Sequence, residues 1–359
     1  MHVGLLIYGS LDTITGGFIY DRHLVRYLRE HGDRVEVIAL PWRRYGWGLL
    51  DNLNPGLRRH LQHTAFDVLL QDELVHPACF WFNRRLRPRI SYPVVAIVHH
   101  LRCREQRPAW RNRLYQKVEA WYLASVDGCI CVSRTTRQDV ENLVGRGRPL
   151  VVASPGRDGL PGAVTRKAIE ARAKSPGPFH IMFVGNLIPR KELHTLLAAL
   201  AGLPGRDWRL TVAGSLDLDP AYVRSIRRRI QEADLAPRVT LLGILPPEEL
   251  AARCAASHLM AVPSSYEGFG IAYLEGMHFG LPAIAGTAGA ARELVRHDHN
   301  GYLVPPGDAA ALAHYLDLLM RDRDLLLRLS LTAHHCAAAH PTWNESAALS
   351  RAFLKSFLD

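Results

Sequence analysis

Short apolar runs alternate with stretches of helical spacing from one end of the chain to the other. In the first half, β-like runs fall at residues 2–8, 34–40, 67–71, 93–98, 128–132 and 149–153. Between the first two, Phe18, Leu24 and Leu28 sit at helical spacing, which predicts a helix over about 18–31 after a loop through Gly16-Gly17. Strands alternating with amphipathic helices are the pattern of a parallel α/β domain, since each crossover must return the chain to the same edge.

The pattern restarts at His180-Ile181-Met182-Phe183-Val184-Gly185 and continues with strands near 209–213, 238–242, 257–261 and 282–285. Pro161, Gly162, Pro176, Gly177 and Pro178 surround a basic segment between the halves, where turn residues mark a break. The expected division is a first domain at 1–165, a linker at 166–178 and a second domain at 179–340. A last segment at 341–359 is read as an amphipathic helix from about 344 to 357, through Ala347, Leu349, Phe353 and Phe357. The 359 residues suffice for two domains of ordinary size.

The richest stretch is Glu267-Gly268-Phe269-Gly270-Ile271-Ala272-Tyr273-Leu274-Glu275. Ser264 and Ser265 can end a strand, and Gly268 and Gly270 let the backbone approach a ligand before a helix begins. The unpaired N–H groups of such a helix start, here over 268–271, favour phosphate oxygens. Glu267 is left in the loop and Glu275 lies one to two turns into the helix. A carboxylate on each side of a phosphate site suits a ligand with hydroxyls at both ends, such as a nucleotide sugar. Glu275 sits among Ala272, Tyr273, Leu274, Met277 and Phe279, and a carboxylate on so apolar a helix needs a partner.

A second basic turn, Gly185-Asn186-Leu187-Ile188-Pro189-Arg190-Lys191, follows the first strand of the second half and precedes a helix. Cations there oppose the helix dipole by ~0.3–1 kcal/mol. The misplacement is resolved if Arg190 and Lys191 neutralise an anion at the edge of the sheet, where open α/β sheets bind ligands.

These motifs stand in a recognisable order. The Glu-x7-Glu spacing, Gly280-Leu281-Pro282-Ala283-Ile284-Ala285, Glu293, and Asn300-Gly301-Tyr302-Leu303-Val304-Pro305-Pro306-Gly307-Asp308 together resemble the GT4 family of retaining glycosyltransferases. The likeness covers most of the chain, more loosely in the first half. It implies a GT-B fold: two Rossmann-like domains with parallel sheets facing across a cleft, and a C-terminal helix crossing back to the first domain. It further implies transfer of a sugar from a nucleoside-diphosphate sugar, either UDP- or GDP-linked, to a hydroxyl, without metal or cofactor. By the same resemblance Arg190 and Lys191 hold the donor diphosphate, Glu275 the ribose and Glu267 the sugar. Gly16, Gly17 and His99 line the donor from the first domain, and Asn186 and Ile244 complete the contacts. Many members carry Asp where this chain has His100, which leaves that position without an assigned role.

Composition narrows the alternatives. Hydrophobic residues at 48% and charged residues at 22% fit a globular protein, and no apolar run approaches the ~20 residues that span a bilayer. Met1-His2-Val3 runs directly into a β-like segment with no leader pattern, so a cytoplasmic location is expected, with association at the inner membrane face left open. The six cysteines show no ligand spacing and are read as reduced thiols. Asp217-Leu218-Asp219 and Asp322-Arg323-Asp324 match the short DxD metal pattern, but the first reads as a loop or helix cap and the second as part of a charged helix. Histidines 297, 299, 334, 335 and 340 form no convincing ligand set, so no metal is expected.

The net charge of +10 is uneven: residues 1–160 hold 23 Lys and Arg against 15 Asp and Glu, the remainder 21 against 19. Such a bias suits an anionic partner or is simply a solvated arginine-rich surface. Trp42, Arg43, Arg44 and Trp47 interleave rings with cations, which suits a membrane interface or lipid-linked acceptor, a soluble sugar acceptor, or plain packing. No DNA or RNA module accompanies the basic residues, so no nucleic-acid partner is expected. A nucleotide-sugar epimerase and a non-catalytic nucleotide-sugar sensor remain as alternatives to a transferase.

Overall fold

The computed structural model describes residues 1–43, 45–203 and 207–358. Contacts divide the chain into two units, Met1–Pro155 with Thr342–Asp359, and Gly156–Pro341.

The first unit is built on six parallel strands: β1 His2–Tyr8, β2 Arg34–Leu40, β3 Val68–Asp72, β4 Val94–Val98, β5 Gly128–Cys131 and β6 Leu150–Val152. Their order across the sheet is β2-β1-β3-β4-β5-β6. Continuous apolar runs are needed because helices cover both faces, and β3, β4 and β5 are buried at every position. Leu6, Leu69, Val94, Ala96, Cys129 and Cys131 contribute to the core, with helix residues Leu61, Phe82, Leu86, Tyr122 and Val140 packed on it. All six cysteines are free thiols.

The first helix runs Gly16–Glu30, with Thr15 as its N-cap accepting from the Phe18 amide at 3.4 Å. Gly16 and Gly17 therefore open the helix and do not lie in the loop before it. The last helix, Trp343–Lys355, begins with a capping box between Thr342 and Glu345. It lies on the first helix: the His23 and Trp343 rings stack 4.1 Å apart, Tyr20 and Ser350 hydroxyls are 3.2 Å apart, and Arg351 Nε donates to Asp33 at 2.6 Å.

The second unit repeats the plan with β7 Phe179–Val184, β8 Trp208–Ala213, β9 Val239–Gly243, β10 Leu259–Val262, β11 Ala283–Gly286 and β12 Gly301–Val304. All pair in parallel in the order β12-β11-β10-β7-β8-β9. The edge strand β12 lies in the Asn300–Asp308 motif and was not marked by the apolar pattern. The stretch read as a linker holds a helix, Arg166–Ala173, capped by Thr165. Ile169 is fully buried and Arg172 donates to the Phe279 and Gly280 carbonyls at 2.8 and 2.9 Å, which attaches this helix to the second unit.

Candidate active-site residues

In the second unit, β7 leads through residues 185–188 into a 3-10 turn, Pro189–Lys191, followed by a left-handed Glu192 and the helix Leu193–Ala201. The turn presents Arg190 and Lys191 side by side. The Arg190 carbonyl accepts from the Ser265 amide at 2.8 Å, which ties this turn to the segment after β10. Two cations then converge on one carboxylate. Lys191 Nζ is 2.6 Å from Glu267 Oε1, and Arg190 is 3.4 Å from Oε2 while donating to the Tyr266 carbonyl at 2.6 Å. Burial alone would push Glu267 up, but Lys191 and Arg190 overcome it and hold the carboxyl down at about 2. The local balance is one surplus positive charge in a largely buried setting.

Glu267 is also fixed through its backbone. Its carbonyl accepts from the Ala290 amide at 2.8 Å, and it forms an isolated bridge with Gly289. Gly289 has φ 77°, and a Cβ there would stand 2.2 Å from the Glu267 carbonyl oxygen. Only glycine satisfies both conditions.

Gly270, at φ 104°, is the N-cap of the helix Ile271–His278. Tyr273 anchors the helix by donating from its hydroxyl to the Val262 carbonyl at 2.6 Å. Phe269 is buried, its ring 5.6 Å from His340. Glu275 is half-buried with no hydrogen-bond or ion-pair partner among the described residues, and burial pushes its carboxyl up to about 7. Asn186 accepts from the Ser215 amide at 3.0 Å, so its side-chain oxygen braces the neighbouring loop. Ile244 is exposed just beyond β9.

The DxD matches resolve into helix caps. Asp219 accepts from the Tyr222 amide at 3.0 Å, and Asp322 from the Leu325 amide at 2.8 Å. Asp322 therefore precedes its helix and is not inside it. Asn300 is a buried turn residue, accepting from the Arg296 amide at 2.7 Å and donating to the Leu294 carbonyl at 2.9 Å.

In the first unit, His99 follows β4 and is nearly buried. Gly17 approaches it closely: a Cβ on that residue would lie 2.9 Å from His99 Cδ2. His99 Nε2 faces Asp21 Oδ1 at 3.2 Å, and the Tyr20 ring meets the imidazole edge-on at 5.5 Å. Burial works against a charged imidazole, yet Asp21, Asp72 and Glu73 outweigh it and raise His99 to about 9. That direction favours the charged form of the His99 imidazole. His100 faces Glu105 at 3.0 Å, which in turn pairs with Arg107.

Two acid–imidazole clusters in this unit bring ligand-type atoms within 4.8 Å of each other: Asp21, Asp72 and His99, and Glu73, His76 and Glu119. In the second, His76 Nδ1 faces the Glu73 carbonyl at 2.8 Å and Nε2 the Tyr45 hydroxyl at 3.1 Å, while Glu119 accepts from the Arg102 and Cys103 amides at 2.5 and 3.2 Å. Those atoms already hold the protein's own polar groups. Sequence reading missed all of these acids, since nothing in the pattern separates a buried carboxylate from an exposed one. It also missed Glu192, whose carboxylate accepts from the Gly307 amide at 2.7 Å and thereby ties the loop after β12 to the basic turn.

Of the aromatic–basic loop, Trp42 packs against Tyr8 and Phe18, and Arg43 pairs with Asp51 at 3.5 Å. Trp47 is 61% exposed. Arg44 lies outside the described residues.

Comparison with known proteins places these motifs. Residues 164–335 match the family described as glycosyl transferases group 1, and residues 15–156 match the glycosyl transferase 4-like domain. A GDP-mannose-dependent α-(1-6)-phosphatidylinositol monomannoside mannosyltransferase of Mycobacterium tuberculosis is 27% identical over 62% of this chain and 60% of its own length. A D-inositol 3-phosphate glycosyltransferase of Nocardia farcinica is 29% identical over 77% of this chain and 64% of its own. The chain thus spans less than two thirds of these curated relatives. Among solved structures, sucrose-phosphate synthase from Thermosynechococcus elongatus superposes with a TM-score of 0.83 at 22% identity, covering 99% of this chain and 98% of that one. Anabaena HepE in complex with UDP and glucose gives 0.76 at 20% identity, over 99% and 100%. Likenesses at that identity show a shared fold.

Proposed function

This chain belongs to the GT4-type, group 1 glycosyltransferases, with the GT-B fold, and from that premise we propose that it moves a sugar from a nucleoside-diphosphate sugar to a hydroxyl with retention at the anomeric carbon. The observation that carries the reading is the shared carboxylate: Arg190 and Lys191 meet at Glu267 with one positive charge in excess. A buried surplus cation is costly without an anion, and a diphosphate supplies one.

In this reading Arg190 and Lys191 bind the diphosphate and stabilise the charge that grows on it as the sugar leaves. The amides of Gly268–Ile271 supply further donors. Glu267, released in part from Lys191, turns to the sugar hydroxyls, and Glu275 takes the ribose diol. Within the first unit, His99, with Asp21 beside it and Gly16 and Gly17 close by, is taken as a further group that serves the transfer. No side chain is assigned as nucleophile. The leaving diphosphate accepts the acceptor's proton on the same face, so catalysis rests on positioning and electrostatic stabilisation. No step requires a metal.

The donor is a UDP- or GDP-sugar: the mannosyltransferase relative is GDP-mannose-dependent, and HepE was solved with UDP. The acceptor is a sugar, a lipid-linked glycan or a small polyol, and the exposed Trp47 supports an acceptor presented at a membrane. The deciding experiment is a thermal-shift panel of UDP-, GDP-, ADP- and dTDP-sugars with and without EDTA. A shift with one nucleotide, insensitive to EDTA, is expected. No shift in a folded protein rejects the donor site. Binding followed by conversion of the donor without acceptor points to an epimerase, and binding without turnover to a sensor.

A further inference from the structure

The first unit exposes an apolar surface that the site above does not use. The helix Ala109–Leu123 turns Trp110, Leu114 and Trp121 outward, 66%, 49% and 47% exposed, at positions that fall along one helical face. Arg111, Arg113 and Lys117 are exposed beside them, and the helix's one carboxylate, Glu119, is buried and occupied by backbone amides. The Trp121 ring stacks on Phe80 at 5.9 Å, which joins this face to the segment 80–90. There Trp81 is 45% exposed with the Arg85 guanidinium 4.4 Å over its ring, and Arg84 and Arg89 are also exposed. Neither segment presents an exposed carboxylate.

Six exposed cations and three exposed indoles without one exposed acid form an unusual composition for a plain solvated surface. Water alone gives no reason for so many large rings to remain uncovered. Indoles favour the headgroup level of a bilayer, and arginine and lysine favour anionic lipid phosphates. We propose that the face formed by the helix Ala109–Leu123 and segment 80–90 docks the protein on an anionic phospholipid surface. The face adjoins the loop carrying Trp47, because Tyr45 from that loop packs on Tyr115 of the helix at 4.6 Å. The proposal deepens the membrane-side reading of the acceptor and rests on it for biological sense. The surface itself is tested without donor or acceptor.

Flotation of the full chain with phosphatidylcholine vesicles, with and without phosphatidylglycerol, at low and high salt provides the test. Binding is expected only to the anionic vesicles and should weaken with salt. The combined variant Arg111→Glu, Arg113→Glu, Lys117→Glu should reduce partitioning by roughly 100-fold or more, since losing three cations alone costs that much near an anionic surface. Trp110→Ser, a change at an exposed ring with the Arg111 guanidinium 5.5 Å over it, should weaken binding while leaving the fold intact. Nucleotide-induced thermal shift should be unchanged in both variants, which separates loss of this surface from failure of the donor site. Equal binding to neutral vesicles, no binding by the unmodified protein, or full binding by both variants overturns the proposal. A dimer lost in the variants, without vesicle binding, would instead assign the face to a second copy of the chain.

Discussion

Lys191 and Asp21 are the residues on which the chemistry can be separated from the scaffold. Lys191 stands 2.6 Å from Glu267, and its removal leaves a buried carboxylate with the longer Arg190 contact. Lys191→Ala should therefore lower kcat by roughly 100-fold or more, the scale of losing one stabilising group for developing charge. Donor affinity, read by calorimetry, should fall much less. An equal loss in both would assign Lys191 to binding alone. Asp21 acts through another group: fully buried, it keeps the His99 imidazole charged. If the imidazolium is the working form, kcat/KM should fall as pH rises through about 9. In Asp21→Asn that falling limb should move towards the ordinary histidine range near 6.5. An unmoved limb would show that another group sets it.

Among the elements, the loop after β11 is sensitive to a minimal change. Gly289→Ala puts a methyl carbon 2.2 Å from the Glu267 carbonyl oxygen at a backbone angle that suits glycine. The expected cost is about 2 kcal/mol or more of stability, the range of overpacking with backbone movement. Turnover should fall further than the lowered stability explains, because Glu267 moves with its backbone. Unfolding curves and kinetics on the same sample check both. Elements of this kind differ in how far the sequence announces them. The strands β4 and β5 were legible because parallel strands covered on both faces must be apolar throughout. β12 was not, since Gly301-Tyr302-Leu303-Val304 is too short to stand out from the loop motif around it. The helix Arg166–Ala173 was hidden by Pro and Gly on either side, although Thr165 is an N-cap signal in retrospect. The basic turn and the two glutamates were legible as a motif, while their meeting at one carboxylate depends on β7 and β10 being neighbours in the sheet. Asp21, Asp72 and Glu73 were invisible for the converse reason: Asp21 lies far along the chain from the adjacent Asp72 and Glu73, and the charges acquire meaning only when the fold buries them together.

For the molecule as a whole, buried ionisable groups fix the pH of greatest stability. Burial raises Glu73, Glu119 and Glu275 to about 7 from an ordinary 4.5. Each then binds protons more readily folded than unfolded, so stability falls as pH rises from about 4.5 to 7. His99, raised to about 9, acts in the same direction between 6.5 and 9. Two groups oppose from the acid side. Burial lowers His258 to about 4, which removes stability as pH falls below 6.5, and Glu267, held at about 2, loses its contribution as pH falls from 4.5 towards 2. Between 4.5 and 6.5 the three acids outweigh the one histidine, so the maximum should lie on the acid side, near pH 4.5, in denaturant unfolding across pH. A maximum above pH 8 would contradict this account of the buried acids.

The solitary Glu275 carboxyl carries a thermodynamic signature of its own. A group that titrates at about 7 holds roughly half a proton at neutrality. Two ribose hydroxyls donating to it would favour the ionised form and expel that fraction into the medium. The heat of nucleotide binding near pH 7 should then vary linearly with the ionisation enthalpy of the buffer, with a slope reporting about half a proton released. In Glu275→Gln, where no proton remains to be expelled, that slope should vanish.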